Sequence, residues 1–442
     1  MVNMSSKMKA WLTVLTVTLI LWQSASALPE IESWTTADGA RVYFAASHEL
    51  AMVDVAITLD AGSERDGTLP GLAMLTHRLL DKGTVDIDAD VIAARFEDVG
   101  AQYGASVSLD RSTITLRSLS DKTLLASALD TLLAVIAEPI FPQRDFEREK
   151  NRLLIAIQDG QQSPANVISE AFYSALYTDH PYAQPSQGTV QSVQAIQRAD
   201  IENFYQQYLI ANTAVIAIVG DLSRAQAEQL AADISQGLAR GQSTPKAEAL
   251  AKPKVQQAHI VFPSQQAHVR IGQLGVARGD PDYFSLYVGN HVLGGGGFTS
   301  RLVEEVRSKR GLSYSVYSYF MPLQQPGPFM IGLQTRADQA QQALQVCLDV
   351  LTKYQAEGPT EEELELSKRN IISGFPLRID SNRDVLGYLS MIGYYQLPLS
   401  YLADFSAKIE AVSVDDVRQA FRKQLDLDSL VTVVVGNEAA AK

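Results

Sequence analysis

Residues 69–84 read Leu69-Pro70-Gly71-Leu72-Ala73-Met74-Leu75-Thr76-His77-Arg78-Leu79-Leu80-Asp81-Lys82-Gly83-Thr84. Leu72, Leu75, Leu79 and Leu80 fall on one helical face, so a helix is expected over Gly71 to Leu80. Before it, Ala40 to Ala46 and Met52 to Leu59 alternate apolar with polar, as an antiparallel strand pair would. After it, Ser106 to Leu116 alternates again. Phe146 to Gln158 and Ala165 to Tyr177 then read as long helices, parted near Pro164.

The end of this first half recurs later in the chain. Ala199-Asp200-Ile201 through Tyr205 opens a helix that leads to the strand Ala214 to Val219 and then Gly220-Asp221. Asp415-Asp416-Val417 through Phe421 leads likewise to Leu430 to Val435 and Gly436-Asn437. Asp200 to Asp416 and Gly220 to Gly436 are both steps of 216. Gly100-Ala101-Gln102-Tyr103 corresponds to Gly311-Leu312-Ser313-Tyr314 at a slightly smaller step. The expected fold is therefore α+β, built of two tandem homologous domains. Each would be a mixed, mostly antiparallel sheet with helices on one face. Two prolines, small polar residues and scattered lysines mark residues 241–255 as a linker. It separates an N-terminal domain, 28–240, from a C-terminal domain, 256–442.

Residues 1–27 carry Lys7 and Lys9, an apolar run from Ala10 to Trp22, and Ala25-Ser26-Ala27. That is the layout of a cleavable secretory signal peptide. The apolar run is short of the roughly 20 residues that a spanning helix needs. A soluble mature protein is expected, with the periplasm as its location and no insertion in a membrane after signal removal. The whole chain has 37 basic and 50 acidic residues; without Lys7 and Lys9 the balance is 35 against 50, or −15. So acidic a surface repels phosphate backbones, which argues against nucleic acid as a partner. Cys347 is the single cysteine and lies among Ala343, Leu344, Val346, Leu348 and Val350, where a buried small hydrophobe is expected.

The stretch 69–84 resembles the signature helix of the pitrilysin, insulinase and mitochondrial-processing-peptidase superfamily, the inverzincin zinc peptidases. Asp179-His180-Pro181-Tyr182, Gly188-Thr189 and Val219-Gly220-Asp221 are further matches, and with the repeat the resemblance covers nearly all of residues 28–442. In active members this helix carries H-x-x-E-H, two zinc-binding histidines and a glutamate acting on the metal-bound water. Here, with Gly71-Leu72-Ala73 and Lys82-Gly83-Thr84 as anchors, the first histidine position is Met74, the glutamate is His77 and the second histidine is Arg78. The third ligand position falls in Leu154-Ile155-Ala156-Ile157, with no donor atom in its side chains. The resemblance thus implies no metal and no cofactor in this chain. His77 and Asp81 are four apart, an acceptable ligand spacing on a helix, but no third ligand is evident and Arg78 would oppose a cation. His48, His180, His259, His268 and His291 are scattered. For His180, before Pro181, a structural hydrogen bond is expected.

The second half keeps more of the pattern. Leu293-Gly294-Gly295-Gly296-Gly297-Phe298 precedes Ser300 to Arg310, which reads as a helix closed by Gly311 as its C-terminal cap, and Tyr314 then begins an alternating strand. In the superfamily an arginine and a tyrosine seven apart face the zinc across a chamber, and Arg307 and Tyr314 match them. Preorganised donors of this kind stabilise the oxyanion formed when a peptide carbonyl is attacked. The plainer alternative pairs Arg307 with Glu304 or another surface acid and buries Tyr314 in the core. Gly294, Gly295, Gly296 and Gly297 are either a plain flexible loop or, as the resemblance implies, a segment that lets substrate backbone approach closely.

The resemblance is to the bacterial type of chain that lacks zinc but carries the Arg/Tyr pair. It implies half of a metallopeptidase clamshell: a chain that is not a peptidase alone. Arg307 and Tyr314 would act in trans on peptide substrates, with zinc in a homologous partner subunit. The alternative is a catalytically inert binding or scaffold protein of the same fold.

Overall fold

The computed structural model describes residues 30–242, 250–251 and 256–441. The signal-peptide reading, and residues 243–249 and 252–255 of the linker, lie outside the described residues.

Two sheets form the frame. The first orders its strands β1-β2-β6-β3-β5-β4: Glu32–Thr35, Arg41–Ala46, Val215–Gly220, Met52–Leu59, Ser112–Leu119 and Gln102–Val107. The second runs β7-β11-β8-β10-β9: Gln256–Val261, Val431–Gly436, Gln266–Leu274, Pro328–Arg336 and Ser315–Phe320. β2 and β6 pair in parallel, as do β7 and β11, and every other pairing is antiparallel. Apart from the extra edge strand β1, the second sheet repeats the first, strand for strand. The internal repeat is thus a repeat of topology.

Two local expectations change. Arg41–Ala46 and Met52–Leu59 are strands, but they do not pair with each other, because β6 lies between them. Val215-Ile216-Ala217-Ile218-Val219-Gly220 is buried along its whole length, and a strand apolar on both faces belongs at the centre of a sheet. The alternating stretch Ser106 to Leu116 is two strands, not one. β4 ends at Val107, β5 begins at Ser112, and the pattern passes straight through the turn between them.

Each sheet buries one face under helices of its own half. Val42, Phe44, Val53, Val55, Ile57, Ile216 and Ile218 meet Leu72, Leu75 and Leu79 of the helix Leu72–Leu79, along with Phe146, Leu153, Ile201 and Phe204. The alternate residues Tyr43, Ala45, Ala56, Val215, Ala217 and Val219 point the other way and belong to the core of the second half. The helix Asn382–Tyr394 covers this face, with Val385, Leu389 and Ile392 in the same cluster. The exchange is reciprocal. The helix Pro164–Tyr177, from the first half, places Ile168, Phe172 and Leu176 on Val431, Val433 and Val435 of the second sheet. Small residues make room for these visits. A Cβ on Gly393 would lie 2.4 Å from Val215 Cγ1, and one on Gly272 would lie 2.8 Å from Phe172 Cζ.

The β4–β5 turn locks the halves further. Asp110 is buried there; its Oδ2 accepts from the Tyr395 hydroxyl at 2.7 Å and from Gln324 N at 3.0 Å. Its carbonyl accepts from the Tyr394 hydroxyl. Cys347 is fully buried as expected, and burial pushes its thiol up to about 12. Among the described residues, no helix is long and apolar enough to cross a membrane.

Candidate functional site

The helix Leu72–Leu79 starts at Gly71, whose φ of 97° is a left-handed angle that favours glycine. Asp66 holds this end, accepting from Gly71 N and Ala73 N at 2.7 Å each. A carboxylate suits a helix N-terminus, yet burial pushes Asp66 up to about 7 against the pull of those two donors.

His77, at the position of the family's glutamate, is 2% exposed. Its Nδ1 donates to the Ala73 carbonyl at 2.8 Å, and burial lowers its pKa to about 4, so the ring is neutral at ordinary pH. Met74 packs against the core, and Arg78 adds a cation on the next residue. The helical spacing of His77 and Asp81 is also lost. The α-helix ends at Leu79, Asp81 leaves helical geometry at φ −92°, ψ 16°, and its carboxylate pairs with Lys82 Nζ at 2.8 Å. In Leu154-Ile155-Ala156-Ile157, Ile157 is buried and Ile155 exposed, and none can donate electrons to a metal. These residues do not fit zinc. Among the described residues no group of three or more His, Cys, Asp or Glu could hold a metal ion. His180 accepts from Tyr182 N at 3.1 Å, the structural hydrogen bond expected for it.

The second half presents a different surface. Ser300 to Arg310 is helical through a π-helical turn at Val303–Ser308, and it stops at Gly311, where φ is 60° and the N–H bonds back to Arg307 O at 2.9 Å. Glu304 and Glu305 pair with Lys309, and Glu305 also with Arg310, so the surface acids are engaged without Arg307. Among the described residues Arg307 has no ion pair. Its guanidinium instead lies 4.8 Å from the Phe298 ring centre and 5.1 Å from that of Tyr314. Tyr314 is 83% exposed and Phe298 76%. Neither part of the plainer alternative holds: Arg307 is not tied to an acid, and Tyr314 is not core.

Sequence reasoning missed Phe298 as a partner of this pair. Its only signal was a large aromatic directly after a glycine run. The glycines explain its placement. The helix Tyr283–Asn290 continues as a π-helical turn, His291–Gly295, followed by a short turn Gly297–Thr299. Gly294 is buried, and a Cβ there would lie 2.4 Å from Ser318 Oγ, so the helix end rests directly on β9. Gly295 and Gly297 are exposed and Gly296 half-buried, so the segment is a tight helix end rather than an open loop. It carries Phe298 to the face of Arg307.

The counterpart tyrosines of the repeat have diverged. Tyr103 stacks on Phe96 at 5.5 Å, with burial pushing its phenol far up, while Tyr314 stands in solvent. The tyrosine of the first half is enclosed, and that of the second half is open to solvent. Chemically, the open face offers a guanidinium with free N–H donors and a phenol donor, flanked by aromatic surface.

Comparison with known proteins places both halves in one family. Residues 41–190 match the family described as Insulinase (Peptidase family M16), and residues 195–371 match the Peptidase M16 inactive domain. A solved structure, the peptidase M16 inactive domain from Pseudomonas fluorescens, is 41% identical with a TM-score of 0.90, over 92% of this chain and 98% of that one. The "non-peptidase homolog YmxG" of Helicobacter pylori is 24% identical over 98% of this chain and all of its own length, 100%. The "uncharacterized zinc protease YmxG" of Bacillus subtilis is 25% identical over 79% of this chain and 85% of that protein.

Proposed function

The chain belongs to the M16 peptidase family, and from that premise we propose that it is the zinc-free subunit of a two-chain metallopeptidase, exported to the periplasm. The observation that carries this reading is the Phe298–Arg307–Tyr314 cluster in the second half: a cation free of acids beside an 83% exposed tyrosine. The partner's zinc would supply the hydrolytic chemistry. This chain would hold the extended peptide and place two donors, the Arg307 guanidinium and the Tyr314 hydroxyl, at the carbonyl oxygen as negative charge develops there. A scaffold has no need of an arginine tied to no acid and set beside two exposed rings.

The test is to express the chain alone and with a homologous zinc-motif chain, and to assay cleavage of a quenched peptide library. Activity is expected in the pair and not in the chain alone. Arg307→Ala or Tyr314→Phe should lower the pair's kcat by roughly 100-fold, the cost of one lost oxyanion donor. Unchanged kcat in both variants would favour the inert scaffold. Stoichiometric zinc with chelator-sensitive activity in the isolated chain would refute the proposal.

A further inference from the structure

A cavity of about 540 Å³ opens in the second half, away from the zinc-motif helix and from the Arg307 stack. It lies between the loop after β8, the start of the helix Tyr283–Asn290, the turn after Asn382–Tyr394, and the helix Tyr401–Glu410. Its size falls within the range of small-molecule sites, and its walls include four aromatic rings, those of Tyr283, Phe284, Tyr395 and Tyr401.

Two cations line it, Arg278 and Lys408. The Arg278 guanidinium is held 5.4 Å from the Tyr283 ring centre and 5.5 Å from that of Tyr395, and its backbone is pinned by a 2.7 Å bond to Leu323 O. Its Nε is buried with no hydrogen-bond partner, which in a folded protein calls for an explanation. Lys408 Nζ sits 5.2 Å over the Phe284 ring. Among the described residues neither cation has an ion pair. The two acids that line the cavity are already engaged. Asp280 accepts from Asp282 N at 2.8 Å, and Asp416 caps its own helix through Ser413 N at 2.9 Å and Ser413 Oγ at 2.6 Å. The formal charges of the lining balance, and among the described lining residues it is Arg278 whose buried polar atom is left without a partner. Gln396, in the wall, adopts a φ of 54°, a left-handed angle uncommon for a residue with a side chain, and such strain collects at ligand sites.

We propose that this cavity binds a carboxylate carried on an apolar, ring-sized body. A planar guanidinium between two rings presents its remaining N–H groups as a fork that matches a carboxylate, while the aromatic walls take the body. A bare inorganic anion would leave those walls without a partner. The inference does not depend on the two-chain reading.

The probe is 3-phenylpropionate, titrated calorimetrically into the full chain, against neutral 3-phenylpropanamide and inorganic phosphate. Saturable one-to-one binding of the acid is expected. The amide should bind about tenfold more weakly, and Arg278→Gln should weaken the acid about tenfold, the scale of one charge-assisted hydrogen bond. Arg278 also packs between two rings, so Lys408→Gln serves as a second variant, expected to weaken the acid several-fold if Arg278→Gln does not fold. No saturable binding, equal binding of acid and amide, or phosphate binding as well as the acid would overturn the proposal.

Discussion

Gly393→Ala tests whether the helix Asn382–Tyr394 is pressed onto the sheet of the other half. The added Cβ would lie 2.4 Å from Val215 Cγ1 and 2.7 Å from the Tyr43 ring, both buried and hemmed in by neighbours. Overpacking of this kind costs roughly 1–3 kcal/mol. Alanine also improves helix propensity by up to about 1 kcal/mol, less here because Gly393 is next to the last residue of its helix. Gly387 is the internal control: it is exposed, on the same helix, with nothing within 4 Å of its Cβ position. Gly387→Ala should therefore stabilise by about 0.5–1 kcal/mol, while Gly393→Ala destabilises, leaving the two variants roughly 2–3 kcal/mol apart. A shift of the helix would also strain the 2.8 Å bond from Arg41 Nη1 to Gly393 O. The assay is urea unfolding followed by circular dichroism, with midpoint and slope both fitted. Adding Val215→Ala removes the nearest methyl, so the double variant should recover about 1 kcal/mol beyond additivity. Gly393→Ala as stable as Gly387→Ala, or no coupling to Val215, would refute the exchange of helices between halves.

Three further outcomes are expected. His77 has its folded pKa lowered to about 4 from 6.5, so its neutral ring contributes stability above pH 6.5 that is lost as pH falls towards 4. Asp66, raised to about 7, works in the opposite sense over much of that window, so the readout is wild type against His77→Gln: the variant should gain about 3 kcal/mol on wild type between pH 7 and 4, and a pH-independent difference would rule out a buried neutral ring. Asp110→Ala strands the Tyr395 hydroxyl and Gln324 N–H, which should cost about 1–3 kcal/mol in denaturant unfolding; a change within error would mean the turn does not lock the halves. In the two-chain assay, Phe298→Leu should keep apolar cover but lose the ring face under Arg307, lowering kcat with little change in the fold; an unaltered rate would make Phe298 a bystander.

Much of the candidate site was legible because the signals for it are local. Met74, His77 and Arg78 are read against flanking anchors, and Arg307 and Tyr314 by type and spacing, with Gly311 ending the helix between them at a positive φ as a glycine there should. What stayed hidden depends on neighbours distant in the chain. Nothing near Phe298 says that its ring meets Arg307.

The same division holds for the fold. Periodicity of two and of 3.6 is a property of consecutive residues, so strands, helices and the duplicated order could be read from the chain directly. Strand neighbours are not such a property. β2 and β3 both carried the right alternation, and only long-range pairing put the wholly apolar β6 between them. The alternation also showed that a second face existed without showing what would cover it. Tertiary structure assigned each sheet's second face to a helix from the other half, because small residues at Ala45, Ala56, Ala217 and Gly393 let that helix come close enough to exclude water.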